Sequence, residues 1–334
     1  MIASLFAEVE AALADAVESG DLECVGDAVH FSYDTRLVLP AMLALGRVHE
    51  IADDVPVRRR KRRVDHQLVS RGHRTTENIV RALIDGDMRD AVNDDEFEDF
   101  ETNVRPRSRA AKIAQITLQR GVDEWLEDPE TPGAVEESYR RAVDLSEGHQ
   151  ERDREFRSLL KRFHEATGEE RMAIADEIRE RYVFADGPVS EPFEAERELP
   201  YFVTQYERVG VLYEEMLAMY EADLGRDLGS GFARSIVLMV IAAQVGLDDT
   251  DDYPDDRRSQ LTPVTAELSR HGVDEGVTNL YRIVDTYLDR ARTASDDHLT
   301  GMAIEYIRHQ SHDRLGTLSR SVTSSRVSES RSSR

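Results

Sequence analysis

The chain nearly lacks cysteine: Cys24 stands alone among 334 residues. That excludes an intrachain disulfide and any thiol-rich metal site, and it leads to the expectation of a reducing, cytoplasmic location. Lysine is almost as scarce, with Lys61, Lys112 and Lys161 the only three among the 43 basic residues and arginine making up the rest. No apolar run reaches the roughly 20 residues that span a bilayer. The most hydrophobic segment, Ile236 to Leu247, is interrupted by Gln244 and reads as a buried helix, so no transmembrane segment is expected. The first twenty residues carry acids at helical spacing and no basic leader, unlike a secretory signal. Sustained alternation of β-branched residues is also missing, which argues against a large sheet. No Walker loop, GxGxxG after a strand, GxSxG elbow or HExxH occurs.

Acid is what the chain has in excess. Asp and Glu number 67, giving a formal charge of −24 spread along the sequence. Dispersed acid with arginine in place of lysine resembles proteins of salt-loving archaea. At molar salt the Debye length falls to about 3 Å, which screens the self-repulsion. A halophilic protein is therefore expected.

Apolar periodicity places helices along most of the length. Leu5, Val9, Ala12, Leu13 and Val17 form one stripe that stops at Gly20, where a helix-ending glycine belongs. A second helix is predicted from about Asp34 to Ile51, kinked at Pro40. A third runs over Thr75 to Val92 and dissolves into the acidic stretch Asp94 to Glu101, read as a solvated loop or helix start. Ala110 to Leu126 is a further helix. Val135 to Tyr182 is helical, charge-laden and expected at the periphery, within a charged region spanning about 95–185. Proline and glycine over Ala185 to Pro200 mark the best internal boundary. Beyond it lie three strong helices, over Tyr201 to Leu224, Gly231 to Leu247 and Gly276 to Arg292. The Ser/Arg-rich end, Ser319 to Arg334, is expected to be disordered. The resulting expectation is an all-α fold, a single large helical bundle over 1–318.

The segment with chemical content is Gly231 to Leu268. An apolar helix ends there in Asp248, Asp249, Asp251 and Asp252, with Asp248 and Asp252 one turn apart on a shared face. Such carboxylates suit Mg²⁺, which takes oxygen ligands and completes its shell with water and phosphates. Acids at a helix C-terminus also face the negative end of the macrodipole, so a cation is wanted nearby. In a chain this acidic, the same residues read equally as a solvated loop.

With Gln244 ahead of the acids and Thr262-Pro263 opening the next helix, this stretch resembles the second aspartate-rich region of the trans-prenyl diphosphate synthases, which have the isoprenoid synthase fold. The resemblance implies Asp248, Asp249 and Asp252 as catalytic Mg²⁺ ligands, with Gln244 at the diphosphate. By the same resemblance Asp53 and Asp54 fall on the first aspartate motif as further metal ligands, with Arg58 and Arg59 after them binding diphosphate; Val57 stands where a third Asp belongs. Arg36 matches a diphosphate-binding arginine ahead of an apolar helix. Glu207 and Arg208 replace the family's lysine-threonine pair, and His49, one turn before Asp53, is a candidate replacement ligand. The implied ligand is a prenyl diphosphate with Mg²⁺ as cofactor. A non-catalytic helical protein acting through protein contacts is the alternative.

The basic run Arg58 to Arg63 reads as a patch pairing with nearby acids such as Asp65; a nucleic-acid partner is not expected, since high salt weakens phosphate contacts. Association into a homodimer is left open. Glu305, His309, His312 and Asp313 line one helical face, read as solvated and polar. Tyr206, Tyr213 and Tyr220, seven apart, read as a packing seam.

Overall fold

The computed structural model describes residues 2–33, 36–53, 64–94, 97, 100–295 and 297–332. It is all-α, with two short strand pairs. In chain order the elements are α1 (Ile2–Glu18), β1 (Glu23–Cys24), β2 (Phe31–Tyr33), α2 (Leu39–Asp53), α3 (His66–Asp94), β3 (Phe100–Thr102), β4 (Val104–Arg105), α4 (Arg107–Leu126), α5 (Gly133–Glu165), α6 (Gly168–Ile178), α7 (Phe202–Gln205), α8 (Val211–Leu224), α9 (Ser230–Ala243), α10 (Asp249–Asp251), α11 (Tyr253–Asp256), α12 (Pro263–His271), α13 (Val273–Ala294) and α14 (His298–Ser332). They form two compact units, Met1–Val143 with Met216–Leu228, and Asp144–Glu215 with Gly229–Arg334. The proline-rich segment Ala185 to Pro200 thus lies inside the second unit.

In the first unit α3 packs against α2 and α4, and α1 lies along α4. Leu5, Val9 and Leu13 are the buried stripe of α1, and Gly20 after it takes a φ of 81°, a left-handed value open to glycine without steric cost. Pro40 lies in the first turn of α2, where no intrahelical N–H bond is lost, so the expected kink is not needed. Gly72 lets α3 approach α2, since a Cβ there would lie 2.7 Å from Val48 Cγ1. Tyr220, fully buried, donates its hydroxyl proton to the Ala41 carbonyl at 3.0 Å.

The acidic stretch after α3 departs from expectation. Its last two residues enter β3, which pairs antiparallel with β2, and Phe100 is buried with its ring 6.0 Å from that of Phe31. One aromatic with a large apolar surface outweighs the charge of its neighbours.

In the second unit α9 is the centre, packed against α13 and α14, with α12 against α13. Every residue from Ser235 to Ala242 is buried. By length and composition Ser230–Asp251 is apolar enough to cross a membrane, but the burial of that run within its own unit accounts for its character. Thr262 caps α12 by a reciprocal box with Thr265, and Pro263 is its first residue, as the sequence indicates. The charged region is not merely peripheral: Phe156, Leu160, Phe163, Ile178 and Tyr182 are all buried. α14 continues across the Ser/Arg-rich segment as far as Ser332 instead of giving way at Ser319.

Candidate functional site

A helix apolar on every face is stable only when enclosed, so the end of α9 delivers the next residues to the protein interior or its margin. Those residues form a wide π turn, Gln244–Asp248, in which the Asp249 N–H reaches back to the Gln244 carbonyl. Thr250, also buried, donates its hydroxyl to the Val245 carbonyl at 2.9 Å. The Asp252 N–H then donates to the Asp248 carbonyl at 2.9 Å, closing one turn and placing those two residues on one face.

The acids divide into an inner and an outer set. Asp249 is 2% exposed, and its Oδ1 accepts from Arg208 Nη1 at 3.0 Å and from Gln244 Nε2 at 3.3 Å. Its Oδ2 is enclosed and has no hydrogen-bond partner among the described residues. Burial pushes the Asp249 carboxyl above the usual carboxylate range, and Arg208 and Gln244 partly pull it back. For Arg208 burial works against the charge, but Asp249 foremost outweighs it and holds the guanidinium protonated. Asp251 is ion-paired with Arg314 of α14. Asp248 is half-buried and Asp252 exposed.

The cation wanted at this helix end is thus supplied within the chain, since the guanidinium groups of Arg208 and Arg314 offset the acids that the α9 dipole disfavours. Arg208 is carried on a second π turn, Tyr206–Gly210. A third, Arg179–Val183, carries Tyr182, whose buried hydroxyl accepts from Gln205 Nε2 at 3.3 Å and whose ionisation is strongly opposed by burial. Tyr182 meets the ring of Tyr201 at 5.7 Å, and the Tyr201 hydroxyl donates to the buried Glu267 at 2.6 Å. Each of the three π turns among the described residues therefore contributes to one buried polar network. Such turns are rare and recur at functional positions.

Magnesium is commonly held by one or two carboxylates, with waters and phosphate oxygens completing its shell. Asp248 and Asp252 match that donor set. Asp249 does not, because Arg208 stands at one oxygen and the other is enclosed. Among the described residues no group of three or more His, Cys, Asp or Glu is placed to hold a metal ion. An open surface depression of about 360 Å³, lined by Asp176, Arg179, Glu180 and Phe184, includes none of the expected acids.

The remaining expected residues are scattered. Asp53 is the exposed last residue of α2, in the first unit. Asp54, Arg58 and Arg59 lie outside the described residues, and Arg36 opens a single 3₁₀ turn, Arg36–Val38, of which the backbone alone is described. His309 and His312 serve surface ion pairs, His312 with Asp285 at 3.1 Å and His309 with Asp313 at 3.6 Å, in keeping with a polar face. Arg208 is visible in the sequence only as a substitute in a motif, and nothing in the sequence signals Arg314 or Tyr182. No family model matches the chain, and neither a curated protein nor a solved structure matches it.

Proposed function

We propose that this chain is a divergent isoprenoid synthase-like protein that binds a prenyl diphosphate through Mg²⁺ at Asp248 and Asp252. The observation that carries this reading is the turn that sets those two carboxylates on one face at the end of an enclosed apolar helix, while the Arg208 pair fixes Asp249 inside. Arg208 and Gln244 orient the turn from within; Asp248 and Asp252 supply hard oxygen donors at its margin. When bound, Mg²⁺ would supply charge neutralisation for the diphosphate. The reading is of ligand binding and not of turnover: with Asp249 and Asp251 already neutralised by arginines, this motif retains two carboxylates for the metal.

A melting experiment in molar KCl tests it. A prenyl diphosphate with Mg²⁺ should raise the midpoint, by the equivalent of about 2.7 kcal/mol at 100 times the dissociation constant. The rise should require Mg²⁺ and vanish in Asp248→Asn/Asp252→Asn. Release of diphosphate from allylic substrates should stay at background.

A second reading, an acidic helical protein that acts through protein contacts, is favoured by one feature. Leu299, Met302 and Tyr306 stand three and four residues apart on α14, each about half exposed. Absence of any Mg²⁺-dependent shift, with a stable partner complex lost in Met302→Asp/Tyr306→Asp, would favour that reading over the first.

A further inference from the structure

We propose that His49 and His73 form a two-histidine site for a borderline divalent metal ion of the Zn²⁺ or Co²⁺ class, bridging α2 and α3. The inference is independent of the Asp248 motif, because imidazole nitrogen suits transition metals whereas Mg²⁺ selects oxygen. It rests on how closely the two helices approach. Gly72 on α3 lies against Val48 on α2, where a methyl group on the glycine would sit 2.7 Å from Val48 Cγ1. The next residue on each helix is a histidine. Their rings meet edge to face with centroids 5.3 Å apart, and their Nε2 atoms lie 3.3 Å from each other.

That separation is chemically specific. A tetrahedral metal with bonds of about 2.0–2.1 Å to two imidazoles places the two nitrogens roughly 3.3 Å apart. Without a metal, two neutral imidazoles can share a single N–H, one as donor and one as acceptor. With a metal, both present lone pairs and the shared proton leaves to solvent. Both rings are exposed, which leaves the outer positions open to water. Carboxylates stand one turn further along each helix, Asp53 after His49 and half-buried Glu77 after His73, where they can complete the shell directly or through water. The neighbouring cations are already engaged: Arg47 pairs with Glu50 at 3.0 Å and Arg71 with Asp223 at 3.7 Å. Two protein ligands plus water make a moderate site whose preference follows the affinity order of N-donor sites.

Cobalt(II) titration of the full chain, followed by visible absorption, tests the assignment. A ligand-field band that saturates at one equivalent and is displaced by Zn²⁺ but not by Mg²⁺ is expected. His49→Gln and His73→Gln should each weaken it by more than about tenfold, since even indirect partners of a metal are worth that much. Asp248→Asn should leave it intact. Because a variant could misfold, the native protein is also read directly: Zn²⁺ should protect His49 and His73 together from diethyl pyrocarbonate, and leave His309 reactive. A missing band, a band indifferent to both histidine substitutions, one lost in Asp248→Asn, or equal modification of His49 and His73 with and without Zn²⁺ would each overturn the proposal.

Discussion

Replacing Arg208 by methionine removes the charge that faces Asp249 while keeping most of the side-chain length. Breaking a buried ion pair on one side costs about 3–5 kcal/mol, because the surviving charge is left without compensation. Arg208 is itself 30% exposed, so some water already reaches the pair and the lower end of that range applies. Protonation sets an independent ceiling. Asp249 can escape its predicament by taking up a proton, at about 1.4 kcal/mol for each pH unit above an ordinary aspartate value of about 3.9. The ceiling is therefore about 4 kcal/mol at pH 7 and about 1.5 kcal/mol at pH 5. Burial already holds the folded carboxyl above its unfolded value, and loss of Arg208 raises it further. A group raised in this way favours the folded state below its unfolded pKa and loses that contribution as pH rises through the folded one. The Arg208→Met penalty, measured against the native chain by urea unfolding, should consequently shrink by roughly 2–3 kcal/mol between pH 7 and pH 5. Asp249→Asn in the same background should recover most of it at pH 7. A penalty equal at both pH values, or one untouched by Asp249→Asn, would show that Arg208 does not compensate Asp249.

Gly72→Val should destabilise the first unit by about 1–3 kcal/mol through collision with Val48, and Val48→Ala should relieve it; thermal unfolding of the two variants checks both. Lowering KCl from molar to dilute should unfold the chain, because a formal charge of −24 then repels itself unscreened; an unchanged helical spectrum in dilute buffer would remove salt as a stabilising factor.

Periodicity makes most helices legible because each needs only a repeated apolar residue, as in the Leu5, Val9 and Leu13 stripe, or a capping signal, as at Thr262-Pro263. Phe100 escapes such reading because its partner Phe31 lies far away in sequence, and the local acids dominate any window around it. The Ser/Arg-rich end reads as non-helical by composition, yet α14 carries through it, since a helix once nucleated extends by one bond per added residue. The acids of the candidate site are visible as a motif. Their division is not, because Arg208 and Arg314 reach Asp249 and Asp251 from 41 and 63 residues away. A composition so rich in both charges offers many equivalent pairings, and tertiary packing alone selects among them.

A π turn holds one more residue than the α-helical turn it replaces, so its presence is a matter of count and not of side-chain identity. Deleting Val245 would let α9 run on as an ordinary helix and swing everything after it by about 100° around the axis. Asp249 would then leave Arg208, and a different aspartate would face inward. The aim of this acidic cluster is thus fixed by a single-residue insertion, a kind of change that leaves composition, charge and motif spelling almost untouched while redirecting which carboxylate meets solvent.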